Sequence, residues 1–180
     1  PTGRTLAVAG THGKTSTTWL LHHALAGLHA VRSREPGRPT PPDAPLPGAL
    51  PAAGALVGGI DVGLGVNAVP PGPAGWMAVE ACEYDRSFLQ LAPQGAAVTN
   101  VEPDHLDYYG SLEAIEVAFA RFADRVHPDG LVVVGPDVSR RIEGAARCRT
   151  WRLGRELRVR LLEERAGRFS FHLAGPDFHV

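Results

Sequence analysis

Residues 10–16 read Gly10-Thr11-His12-Gly13-Lys14-Thr15-Ser16 and carry the parts needed to hold a polyphosphate. Glycines let backbone N–H groups converge on phosphate oxygens, a lysine supplies a mobile positive charge, and the hydroxyl beside it reaches a divalent cation. The longer pattern GxxxxGK[ST] asks for glycine at position 8, where the chain has Val8; the shorter form Gly-Thr-x-Gly-Lys-Thr is intact. The bland alternative is a glycine turn with an exposed lysine. Composition weighs against it, because Lys14 is the single lysine among 18 Lys and Arg residues. A chain that writes its other basic positions as arginine keeps an ammonium where a planar guanidinium does not serve.

Two further groups follow at the ends of apolar runs. Trp76-Met77-Ala78-Val79 ends at Glu80, with Glu83 and Asp85 close behind. Phosphate-loop ATPases keep a metal-binding carboxylate at such a strand end; an ordinary exposed acid is the alternative. Gly95 to Thr99 ends at Asn100-Val101-Glu102-Pro103-Asp104-His105. Asp104 and Asp107 flank His105 and can orient its imidazole toward a metal, although a lone loop histidine is also a common structural residue.

The elements that must position these groups are readable from hydrophobic periodicity. Thr5 to Ala9 reads as a strand, residues 10–16 as a glycine turn, and Thr17 to Leu28 as a helix. Arg32 to Pro51 is dense in Pro, Gly and Arg and predicts an irregular mobile loop or insertion. Gly58-Gly59 and the segment from Gly63 to Asn67 read as flexible backbone. Ser111 to Val126 predicts an amphipathic helix, Ser111 its N-cap, with Leu112, Ile115, Ala118, Phe119 and Phe122 on one face. Leu131 to Val134 and Arg149 to Leu153 read as strands, with a helix from Val138 to Ala146 between them. Leu157 to Leu162 and Arg168 to Leu173 alternate around Ala166-Gly167 like an antiparallel hairpin. Alternating strand and helix predicts an α/β fold, a mainly parallel sheet flanked by helices, with the small hairpin near the C-terminus. In such a sheet ligands gather beyond the carboxyl ends of the strands, where all three polar groups fall.

At 180 residues, 44% hydrophobic and 21% charged, the chain can build one domain with a real core. A formal net charge of -1 gives no footprint for nucleic acid. No apolar run is long enough to cross a bilayer, so no membrane insertion is expected. Cys82 and Cys148 lack zinc-ligand spacing and are too few for a disulfide framework, which favours the cytoplasm. The chain starts Pro1-Thr2-Gly3 and ends in a strand-like segment, so a piece of a longer protein is expected.

The three motifs, Gly10 to Ser16, Glu80-Ala81-Cys82-Glu83-Tyr84-Asp85-x-Ser87-Phe88, and Thr99-Asn100-Val101-Glu102-Pro103-Asp104-His105-Leu106-Asp107, resemble in that order the central domain of the Mur ligases. Histidine within Gly-Thr-His-Gly-Lys-Thr points to the alanine-adding branch. The resemblance runs from about Leu6 to Gly135. It implies a phosphate-loop ATPase fold over residues 1–180, with residues 32–51 a loop or insertion and 156–180 a hairpin with a truncated end. The N-terminal UDP-binding and C-terminal amino-acid-binding domains of the family would lie outside the chain.

The implied reaction is ATP-dependent and joins L-alanine to UDP-N-acetylmuramate through an acyl phosphate. Gly10, Thr11, His12, Gly13, Lys14, Thr15 and Ser16 would bind ATP. Lys14, Glu80 and His105 would be catalytic, and Thr15, Glu80 and His105 would ligate Mg2+, His105 together with Glu80. Glu83, Asp85 and Asn100 would support these groups or contact substrate. His12 would face the γ-phosphate or the reacting carboxylate, or pack as a turn residue. The family often has Asp where this chain has Cys82, here expected as a small buried thiol. With no second lysine, a carbamylated lysine bridging metal is excluded in this segment. The isolated segment is expected to bind ATP weakly and to ligate nothing. The alternatives are a ligase adding a tripeptide to the same nucleotide sugar, a degenerate nucleotide-binding module, and a small-molecule kinase with the same loop.

Overall fold

The computed structural model describes residues 4–32, 53–72, 75–165, 168–176 and 178–179. Its centre is β1 (Arg4–Ala9), an apolar strand whose last three residues are buried. β4 (Trp76–Glu80) lies parallel to β1 on one side and β5 (Gly95–Val98) parallel on the other, with Val8 level with Glu80 and Ala9 level with Val98. The sheet extends beyond β4 to β2 (Ala53–Leu56), and beyond β5 to β6 (Leu131–Val134) and β7 (Arg149–Arg152). A two-residue strand, β3 (Ala68–Val69), runs antiparallel on the β2 edge and completes the order β3-β2-β4-β1-β5-β6-β7. Because β1 sits between strands reached by opposite crossovers, a crevice opens beyond its carboxyl end.

Helices cover the sheet. α1 (Lys14–Arg32) packs on β1, β2 and β4, where Trp19, Ala55 and Val57 form a small apolar cluster. α3 (Leu112–Asp124) anchors the larger core: Phe119 and Phe122 are fully buried, Phe88 stacks on Phe122 with centroids 5.1 Å apart and meets Phe119 edge-on at 5.2 Å. Ser111 caps α3 by accepting the Ala114 N–H at 3.2 Å. Of the expected face, Ile115, Ala118, Phe119 and Phe122 are buried while Leu112, in the first helical position, is exposed. α4 (Arg140–Ala145) starts after its own cap, Ser139, two residues later than the periodicity suggests.

Beyond the main sheet, β8 (Arg158–Arg165) and β9 (Arg168–Gly175) form the expected antiparallel pair, and β10 (Phe178–His179) adds a third strand. The expected turn residues Ala166-Gly167 lie outside the described residues, as does the Pro-rich stretch beyond Arg32. Two readings need correction. β2 and β3 occur beside residues read only as flexible, and the segment between them is tied by Val57 N–H to Asn67 O at 2.9 Å and Asp61 N–H to Val66 O at 2.9 Å. Cys82 is exposed, since β4 ends at Glu80 and the chain has already left the sheet. Among the described residues no helix is long and apolar enough to cross a membrane.

Candidate functional site

The glycine loop joins β1 to α1 and is shaped by its neighbour strand. Gly10 has φ +140°, and a Cβ there would lie 2.0 Å from Thr99 Oγ1, so only glycine fits. Thr11 N–H donates to Asn100 O at 3.1 Å, and Glu102 N–H donates to Thr11 Oγ1 at 2.9 Å. Asn100 grips both backbone polar groups of His12: Oδ1 accepts the His12 N–H at 2.8 Å and Nδ2 donates to His12 O at 3.2 Å. Thr99 Oγ1 adds a bond to the same carbonyl at 2.8 Å. The residues after β5 thus clamp the loop. The His12 side chain is exposed, 3.7 Å from Glu102, which sets aside the packed-turn alternative. Gly13 (φ +79°) turns the chain into α1, whose first amides have no intrahelical acceptor.

Lys14 folds back over this loop. Its Nζ donates to Gly10 O at 2.6 Å, Thr11 O at 3.1 Å and Glu83 Oε1 at 2.9 Å. Glu83 is buried, and its second oxygen Oε2 stands 2.9 Å from the same ammonium without an aligned hydrogen bond. The Glu83 backbone is pinned by Tyr109, whose hydroxyl donates to Glu83 O at 2.5 Å; burial pushes that phenol up to about 12. One residue on, Thr15 Oγ1 donates to the Glu80 carboxylate, 3.1 Å from each oxygen, and Gly58 N–H donates to Glu80 Oε2 at 2.7 Å. Ser16 is exposed in the same helical turn.

His105 lies just before α2 (Leu106–Tyr109) in a left-handed conformation, φ +50°. Its N–H donates to Asp104 Oδ1 at 2.8 Å, and its ring meets Tyr84 edge-on at 5.1 Å. Ligand atoms of His105, Asp104 and Glu83 all lie within 4.8 Å of one another, so His105 groups with Glu83, where Glu80 was the expected partner. Asp85 is exposed at a left-handed pair, Asp85 (φ +57°) and Arg86 (φ +53°), and no hydrogen bond among the described residues joins it to the loop. Arg86 lies over the Tyr108 and Tyr109 rings at 5.6 and 5.5 Å, fastening the short 3-10 segment Tyr84–Gln90 to α2.

The structure therefore brings Lys14 to Glu83, Thr15 to Glu80 and Asn100 to His12, and leaves Asp85 outside. Sequence reasoning missed Thr99, Gly58 and Tyr109. A signal existed for Gly58, a glycine pair closing the apolar run from Ala53 to Val57; Tyr109 offered none, because a tyrosine in a short helix is ordinarily core.

Comparison with known proteins matches residues 72–175 to the Mur ligase middle domain. The chain is 41% identical over 165 residues to the UDP-N-acetylmuramate–L-alanine ligase of Rubrobacter xylanophilus, covering 89% of this chain and 32% of that protein. Its fold is similar to that of the UDP-N-acetylmuramate:L-alanyl-gamma-D-glutamyl-meso-diaminopimelate ligase from Neisseria meningitides, with TM-score 0.68, 26% identity, and coverage of 98% of this chain and 53% of that one. The UDP-N-acetylmuramate-alanine ligase of Thermotoga maritima shares the fold at TM-score 0.62 and 20% identity, over 95% of this chain and 36% of that one. The chain spans about a quarter to a third of the length of the relatives it matches first in sequence. With the family model covering residues 72–175 and the glycine loop, Glu80 and His105 on adjacent strand ends, the chain belongs to the Mur ligase family.

Proposed function

We propose that this chain is the ATP-binding middle domain of a cytoplasmic ligase that joins L-alanine to UDP-N-acetylmuramate, other domains of the protein holding the UDP group and the amino acid. One observation carries this reading: the single lysine and the adjacent threonine of the glycine loop face two carboxylates on one strand end, Glu83 and Glu80, with His105 beside them. The alanine-ligase relatives, at 41% identity or more in several species, support the choice of amino acid.

The Thr15 hydroxyl and the Glu80 carboxylate suit Mg2+, a hard cation that prefers oxygen ligands and keeps several waters. Thr15 and Glu80 would hold one ion, and His105, through a ring nitrogen, with an acid beside it a second; the buried Glu83 Oε2, 2.9 Å from Lys14 Nζ without an aligned hydrogen bond, is one such acid oxygen. Such ions offset the repulsion when a carboxylate attacks a polyphosphate. Gly10 to Gly13 and the first turn of α1 would bind the phosphates through backbone N–H groups. Lys14 would exchange Glu83 for the γ-phosphate and follow it as a compact charge. In the reaction an oxygen of the lactoyl carboxylate attacks the γ-phosphorus, the bond to ADP breaks, and an acyl phosphate forms. The alanine amine then attacks the acyl carbon, phosphate leaves, and the amine sheds its proton. Asn100 and Thr99 would keep the loop rigid, so that the phosphorus meets the nucleophile in line.

The fold similarity to the Neisseria ligase favours a second reading, addition of a tripeptide to the same nucleotide sugar. Phosphate release by the full-length protein, with UDP-N-acetylmuramate and either L-alanine or the tripeptide, separates the two. Release with alanine is expected. Release with the tripeptide alone assigns the second reading, and release with neither rejects both.

A further inference from the structure

Thr15, Trp19 and His23 are spaced four residues apart along α1 and so lie in one row on its surface. Each meets the segment that follows β2. A Cβ on Gly59 would stand 2.7 Å from Thr15 Cγ2, Trp19 Nε1 donates to Gly59 O at 3.0 Å, and His23 Nε2 lies 3.1 Å from Asp61 Oδ2. Asp61 also closes the turn beyond it, accepting the Leu64 N–H at 2.8 Å. At the near end of this row Gly58 N–H meets Glu80 Oε2 at 2.7 Å, and a Cβ on Gly58 would stand 3.3 Å from both carboxylate oxygens. The Gly58-Gly59 pair is thus pressed between the Glu80 carboxylate and α1, in a space that side chains would fill.

We propose that Trp19 and His23 are positioning residues for Glu80: they zip the 58–61 segment onto α1, so that the Gly58 amide fixes the carboxylate for metal binding. This rests on the reading of Glu80 as a metal ligand. Glu80 has two oxygens and one soft terminal torsion, so without the amide its plane would be set by Thr15 alone. Groups that orient a metal ligand in this way affect affinity by about 10–100-fold, and contacts one step further out should affect it less. Trp19 also packs with Ala55 and Val57, and burial accounts for its ring; it does not account for the indole N–H on Gly59 O, nor for His23, which is half exposed at 53%.

The test titrates Mn2+ into the full-length protein with ATP present, reading bound ion by electron paramagnetic resonance, alongside hydrogen exchange at the Gly58 amide. Glu80→Gln is expected to weaken Mn2+ binding at least tenfold. Trp19→Phe, which keeps a ring in the pocket but loses the N–H, and His23→Ala are expected to weaken it about three- to tenfold. Both should lower Gly58 protection and leave affinity for metal-free ATP within twofold. His23→Gln, whose amide still donates to Asp61, should restore most of the loss. If Glu80→Gln weakens binding while Trp19→Phe and His23→Ala leave both readouts unchanged, the positioning role is wrong. Equal loss of metal-free ATP affinity would make the contacts merely structural and overturn it too. No effect of Glu80→Gln would instead reject the metal-ligand reading, and the proposal with it.

Discussion

The ammonium of Lys14 has three acceptors in three directions, Gly10 O at 2.6 Å, Thr11 O at 3.1 Å and Glu83 Oε1 at 2.9 Å. A guanidinium is planar and longer and cannot turn its donors inward to two carbonyls of the loop it belongs to. Lys14→Arg should therefore lose ATP affinity nearly as far as Lys14→Met, about tenfold or more in a calorimetric titration, the size of one charge-assisted hydrogen bond; retention by Lys14→Arg would show that charge alone matters. Glu83 competes with phosphate for the same ammonium. Glu83→Gln should thus raise affinity for metal-free ATP severalfold while lowering ligation by the full-length protein, and a fall in both would mean that Glu83 only props up the fold. Lys14 was legible as a candidate because a solitary lysine in a glycine loop is a chemical exception. Its pairing with Glu83 was not, because that contact depends on the left-handed Asp85-Arg86 turn and on the Tyr109 hydroxyl beneath it, neither of which has a local signature.

The strands and helices were readable wherever apolar residues recur at a clear period, as in α3 and β6, and the α1 start was displaced only because Lys14 to Ser16 belong both to the loop and to the first helical turn. β2 escaped because Ala-Gly-Ala-Leu has neither β-branched residues nor length, and becomes a strand by parallel pairing with β4. The order in which β4 and β5 flank β1 was equally hidden, yet it shapes the loop, since β5 delivers the Thr99-Asn100 clamp onto the glycine loop. Asn100→Ala removes two hydrogen bonds to His12. At about 0.5–1.5 kcal/mol net for each, ATP affinity should fall about five- to 150-fold with little change in melting temperature, because the lost bonds lie at a solvent-facing loop. Gly10→Ala should do more: its Cβ would collide with Thr99 Oγ1, forcing loop and clamp apart, and nucleotide binding should disappear. Binding retained by either variant would deny that loop rigidity is what β5 provides.

Across the molecule, the far end of the sheet is tied together by one buried arginine. Arg152 in β7 donates to Gly135 O at 3.1 Å and Pro136 O at 2.6 Å in the turn after β6, and to Glu143 Oε2 at 2.8 Å in α4. Strand, turn and helix therefore share one cation. The Arg152 hydrogen bond first, then that of Arg140, holds the Glu143 carboxyl below the usual carboxylate range, against the opposing effect of desolvation. A depressed folded-state value means that the unfolded chain binds the proton more readily. The stabilisation is then fully present above the unfolded carboxylate value, near pH 4.5, and disappears as pH falls through the lower folded value. Solvent reaches the edge of the pair, Glu143 being 17% exposed, so its contribution is about 1 kcal/mol. Glu143→Gln should accordingly be less stable than the parent chain by about that amount in urea unfolding at pH 7. The two curves should converge as the pH is taken below 4, where the parent loses the same charge. A constant gap from pH 7 to pH 3 would assign the loss to packing of the helix, whereas convergence assigns it to the ion pair that joins three elements at the edge opposite β2.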